Sequence, residues 1–250
     1  MAKQIGIVPL QGTIGNITFA ETKHGVKARK KNKATNNFAN NPNMQRVREN
    51  GAEFGRAGTA GMLLRKSLTN ALVQTGGKNV VPRLLKEMMK VIKSDIINPR
   101  GQRTPADGII NFLEGFEFND VSKLSVAFKA EYTAVIDRVT GELTIKIPPF
   151  VPADLVAAAP GSTHFKIISA AADIDFINEN YSSVNTNSEE IPWNGTQTQP
   201  ITLLNKLSPN SENQLFLVLG IVFFQQVSGV MYPLKAGASN ALAIVKTSGS

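Results

Sequence analysis

The chain has 250 residues, 42% of them hydrophobic, and no cysteine. That is enough apolar content for one large domain or two ordinary ones, and it excludes disulfides, thiolate metal sites and a cysteine nucleophile. The net charge of +8 is unevenly spread: residues 1–103 hold 19 Lys/Arg against 5 Asp/Glu and residues 104–250 hold 8 against 14, so the two parts stand at +14 and −6.

The opening "MAKQIGIVPLQG" lacks the apolar centre of a signal peptide, and the most apolar later run, "LFLVLGIVFF", is too short to span a bilayer. The expectation is a protein made in the cytoplasm without a signal peptide and with no membrane partner. Residues 1–42 are expected as an extended basic arm. In it "GNITFAE" and "GVKARKK" pair as a hairpin around His24 and Gly25, with Ile5, Ile7, Ile14, Ile17 and Phe19 as apolar docking residues. Lys27, Arg29, Lys30, Lys31 and Lys33 make one strand strongly positive. Such an arm buries too little to be stable by itself.

Residues 43–103 are expected to be helical. Asn41-Pro42-Asn43 is a helix start, and Met44, Val47, Phe54, Leu64, Leu68 and Leu72 recur at helical spacing as far as Gln74. Gly51, Gly55, Gly58 and Gly61 lie inside that stretch, each costing up to about 1 kcal/mol relative to alanine. Their spacing gives either a smooth groove for close helix packing or a break between two shorter helices. "VPRLLKEMMKVIKSDIIN" follows, with Leu85, Met88, Met89, Ile92 and Ile96 on one face, so the two segments form a helical hairpin.

From residue 104 to residue 250 the period changes to two. "INFLEGFEFN", "KLSVAFKAEYTAVIDR", "GELTIKIPPF", "THFKIISAA", "ADIDFINENY", "LFLVLGIVFFQQV" and "GVMYPLKAG" are expected strands, with "VNTNSEE" and "SPNSEN" as polar loops. Short glycine-containing connections point to an antiparallel β-sandwich. The fold class is therefore α+β: basic arm, helical hairpin, sandwich.

No catalytic motif, cofactor site or metal site is evident. His24 and His164 stand without companions at ligand spacing, and Asp173 with Asp175 reads as a solvated strand face before a cation site. "TGGKN" around Lys78 lacks phosphate-loop spacing, and Asn16 and Asn194 satisfy a glycosylation sequon of a length that recurs by chance. Trp193, Tyr132, Tyr181 and Tyr232 are a thin supply of aromatics for a carbohydrate site.

At "GTIGNITF", "QRVRENGAEFGRAGTAG" and "IPPFVPADLVAAAPGSTHFKI" the chain resembles a family of uncharacterised Bacteroidetes proteins of similar length. The shared signature includes glycine-x-x-glycine-asparagine, arginine-x-arginine-glutamate-asparagine and the closing "GVMYPLKAGASNALAIV". The resemblance runs nearly end to end and implies that arm, helices and β region form one unit; it carries no activity with it. In organisation alone the chain is similar to phage-type structural proteins. The expected function is non-enzymatic: a homopolymer, as filament, tube or shell, built by exchanging N-terminal arms. The arm's cations would meet acidic surface such as Glu114, Glu117, Asp120, Asp173, Asp175, Glu189 and Glu190. The alternative partner is nucleic acid, bound or packaged through the basic half.

Overall fold

The structure, a computed structural model, describes residues 11–23, 25–30, 38–77, 79–234 and 239–249. Its contacts divide the chain into two units, Met1–Arg48 and Glu49–Ser250.

In the first unit, β1 (Gly12–Ile14), β2 (Ile17–Thr22) and β3 (Gly25–Lys30) form an antiparallel sheet in that order. "GNITFAE" and "GVKARKK" pair through Ile17↔Lys30, Phe19↔Ala28 and Glu21↔Val26. Gly15, at φ +58, occupies the β1–β2 turn, a conformation that favours glycine. After this sheet, Asn41 caps a single 3-10 turn, Pro42–Met44, its side-chain oxygen accepting from Asn43 N.

The helices are α1 (Gln45–Ser67), α2 (Thr69–Thr75) and α3 (Val80–Ser94). The helix passes unbroken through all four glycines, and the interruption falls at Leu68 instead. The expected apolar face of α1 is wrong in its first half: Met44, Val47 and Phe54 are exposed, while Glu53, Ala57, Ala60, Gly61 and Leu64 are buried. The reason lies in the loop after α3. Glu53 accepts from Gly101 N at 2.8 Å, and the Arg56 guanidinium donates to the carbonyls of Gly101 and Arg103. In α3 the buried residues are Leu84, Met88, Val91 and Ile92; Ile96 is 94% exposed, because the helix ends at Ser94.

The second region begins without a strand. "INFLEGFEFN" forms a 3-10 turn, Ile110–Leu113, followed by an extended segment that touches the sheet through Glu117↔Ala243. Gly115 at φ +79 breaks the alternation that suggested a strand. "KLSVAFKAEYTAVIDR" divides into a helical turn, α4 (Leu124–Ala127), and β4 (Thr133–Asp137). Then come β5 (Glu142–Ile147), the turn α5 (Pro152–Leu155), β6 (His164–Asp175), β7 (Asn180–Asn187), β8 (Ile191–Pro192), β9 (Ile201–Lys206), β10 (Gln214–Val227), β11 (Val230–Pro233) and β12 (Ala241–Ser248). "THFKIISAA" and "ADIDFINENY" are thus one long strand and the start of a hairpin, and "VNTNSEE", expected as a loop, lies largely in β7.

The class is α+β, with antiparallel sheets. The larger sheet is built on β6 and β10, paired over Gln214↔Ile174 to Phe224↔His164. One edge is shared by β12 and β11, the other by β7 and β8. The smaller sheet has the order β4-β5-β9.

Alternation along β6 and β10 sends side chains to two cores. Ile168, Ala170, Ala172, Ile174, Phe216, Val218 and Val222 join Leu64, Leu68, Leu84, Met88 and Ile92 of the helices. Phe165, Ile167, Leu217, Leu219 and Phe223 join Leu143, Ile145, Ile147 and Leu203 of the smaller sheet, with Phe128 and Phe150. Burial on both faces explains why "LFLVLGIVFF" is continuously apolar. Each buried Val, Leu, Ile, Phe or Met among them stabilises by about 1.5–3 kcal/mol on removal from water, more than an exposed ion pair contributes.

Candidate functional site

The surfaces singled out by sequence separate into three groups. Ile5, Ile7, Lys31 and Lys33, with His24 and Lys78, lie outside the described residues. Within the first unit, cross-strand pairing places Ile14, Ile17, Phe19, Val26 and Ala28 on one face of the sheet together with Glu21 and Lys30. Lys27 and Arg29 share the opposite face with Thr13 and Thr18, whose hydroxyls are 3.0 Å apart. The sheet is therefore amphipathic, and its cations divide between two faces. None of its described residues is buried, and Ile14 is 63% exposed.

The glycines form the second group. A Cβ on Gly51, Gly55 or Gly58 would meet nothing within 4 Å, whereas one on Gly61 would rest 3.6 Å from Leu84. Of these four, Gly61 alone packs against another helix. The other three leave a smooth strip on α1 beside the exposed ring of Phe54.

The third group is the carboxylates expected to receive the arm, and most have partners of their own. Glu114 accepts from Thr247 N at 2.8 Å and lies 3.9 Å from Lys246 Nζ. Glu117 accepts from Leu124 N; its burial pushes the carboxyl above the usual carboxylate range against that bond and the nearby Lys123 and Arg83 charges. Asp120 accepts from Asn79 Nδ2, and buried Asp173 from Asn213 Nδ2 at 2.8 Å. Asp175 closes the β6–β7 turn, accepting from the Ile177 and Asn178 amides, and Glu190 pairs with Lys166 at 2.6 Å. Sequence reasoning treated these as a free acidic surface; most are internal fixtures.

What sequence reasoning missed is an open groove of about 600 Å³ where α1 and α2 meet the start of α3. Met62, Leu72, Val73 and Val81 supply an apolar lining, and Arg65 and Lys66 stand on its rim. The signal was present in "LLRKSLTNALV", where a basic pair interrupts the apolar period. Among the described residues no group of three or more His, Asp or Glu is placed to hold a metal ion, and no helix is long and apolar enough to cross a membrane.

No family model matches the sequence, and no curated protein matches it. A chain from a structure concerned with pH-induced modulation of Streptococcus parasanguinis adhesion by Fap1 fimbriae is similar over 46% of this chain and 78% of that one, at 13% identity and a TM-score of 0.24. A likeness that slight carries no argument about fold or function.

Proposed function

We propose that the protein is a non-enzymatic structural subunit that self-assembles into a filament, tube or shell, with the N-terminal sheet of one copy docking on another. The observation that carries this reading is the uncovered apolar face of β1–β3. A three-stranded sheet needs one face packed to be stable, and here Ile14, Ile17, Phe19 and Val26 share a face with no described residue of the sheet buried. The body, which we read as a β-sandwich backed by helices, would serve as the rigid repeat unit. The open strip at Gly51, Gly55 and Gly58 offers a second place for close backbone approach between copies.

In this reading apolar contact supplies most of the binding. Exposed ion pairs contribute about 0–1 kcal/mol each, so Lys27, Arg29 and Lys30 set docking register and association rate. Replacing Ile14, Ile17 and Phe19 together by serine should prevent assembly, while replacing the three cations by glutamine should only slow it and flatten its salt dependence. Sedimentation of nuclease-treated protein over a concentration series measures both. Parent protein that stays monomeric throughout would sink the reading, and assembly that requires added DNA or RNA would transfer it to nucleic-acid packaging.

A further inference from the structure

We infer that successive copies join head to tail, the β6–β7 turn of one copy entering the α1–α2–α3 groove of the next. The inference rests on the self-assembly reading and names the partner of the groove as a second copy of this chain.

The turn is built as a rigid knob. Asp175 Oδ1 accepts from Ile177 N and Asn178 N, both at 2.9 Å, and its Oδ2 accepts from Asn178 Nδ2 at 2.7 Å. Glu179 completes the turn at φ +56. This cage holds Ile177 outward, 73% exposed, in a turn that also carries Asp175 and Glu179. An ordered apolar tip loses little conformational freedom on docking.

The groove has the complementary chemistry. Its lining of Met62, Leu72, Val73 and Val81 suits one branched aliphatic side chain, and Val73 and Val81 are 73% and 53% exposed. Neither Arg65 nor Lys66 on the rim forms an ion pair among the described residues. An exposed isoleucine on an acidic turn, where Glu179 adds its charge to that of Asp175, matches an apolar groove with Arg65 and Lys66 beside it, and the charges guide the approach while the apolar contact supplies affinity.

Geometry sets the knob and groove at opposite ends of one body. The groove end of α2 is tied to the sheet by Asn240, whose side chain donates to Gln74 O and accepts from Phe223 N. Phe223 pairs with Phe165 near the start of β6, whereas the knob follows Ile174 at its finish. The span of β6 from Phe165 to Ile174, about 30 Å, therefore lies between that tie and the knob. A knob and a groove at separate places on one body can engage head to tail, and repetition of that contact builds an open polymer or a ring.

The test uses the full chain and the exposed substitutions Ile177→Asp and Val73→Asp. Each alone should raise the critical concentration for assembly by about tenfold or more, the effect of losing an interface anchor. Mixed at concentrations where neither variant polymerises alone, they should form a discrete pair, because one intact knob meets one intact groove; formation of the pair also shows both variants folded. If the parent polymerises but both variants polymerise equally well, or the mixture stays monomeric, the knob-and-groove contact is overturned while self-assembly stands. If the parent never polymerises, both fall.

Discussion

Replacing Gly220 by alanine should destabilise the body by about 3 kcal/mol, a large share of the total for a domain of ordinary stability. Gly220 sits in the middle of β10, opposite Ile168 of β6 and Leu242 of β12. An added Cβ would lie 2.7 Å from the Ala241 carbonyl oxygen, 2.8 Å from Leu242 Cδ1 and 3.0 Å from Ile168 Cγ1. The Leu242 methyl can rotate away, but the Ala241 oxygen belongs to the ladder and cannot move without separating β12 from β10. The reduced flexibility of the unfolded chain returns at most about 1 kcal/mol. Urea unfolding followed by far-ultraviolet dichroism reads the result; a midpoint equal to the parent's would show that the strands do not pack this closely here.

Asp95 should be nearly as sensitive, and its loss should change the response to acid. The side chain is 1% exposed. Its Oδ1 accepts from Ile97 N and Asn98 N at 2.8 and 3.0 Å, and its Oδ2 from Asn98 Nδ2 and Thr104 N, both at 2.9 Å. Asp95→Ala strands several of these donors, for an expected cost of about 2–3 kcal/mol. Asp95→Asn should not rescue it, since whichever position the amide nitrogen takes, it faces two donors. Burial alone would raise this carboxyl, but the hydrogen bonds outweigh it and hold the folded group below the ordinary carboxylate value. A depressed folded value means stability that is complete above the unfolded group's value of about 3.9 and is lost as pH falls through the folded one. The difference in unfolding midpoint between parent and Asp95→Ala should therefore begin to narrow as pH falls below about 4. A constant gap would place the effect elsewhere.

The elements legible in sequence were those whose burial is set by their own pattern. β5 alternates cleanly because one face meets the core, and the apolar run of β10 is continuous because both faces do. β7 and β9 were not legible: "NYSSVNTN" is polar and exposed over most of its length, and "ITLLNK" buries only Leu203 and Asn205. β12 was missed as well, since "ALAIVKTS" is too rich in small residues to mark a strand without knowing that it lies against β10. The inner face of α1 was hidden for a different reason. Its buried Glu53 answers a backbone amide at Gly101, about fifty residues away in sequence, and Gly101 tolerates no side chain there: a Cβ would be 2.7 Å from Glu49 Cγ. At the candidate assembly surfaces, the pairing of "GNITFAE" with "GVKARKK" was legible, while the division of its cations between two faces depends on a register that only the structure supplies. The engagement of the acidic residues was not legible, because carboxylates that cap turns and brace loops look in sequence like carboxylates left free.

The two-sided burial of β6 and β10 sets a clock against which the proposed assembly would be timed. Amides in those strands are covered by a core on each face, so they exchange with solvent deuterium only when the whole body opens. Amides of β1–β3 are held by a sheet with no buried residue among those described, and in a lone subunit they should exchange through local opening orders of magnitude sooner. Protection that grows in Ile17–Thr22 as protein concentration rises, while the β10 amides remain unchanged, would register docking of the arm residue by residue.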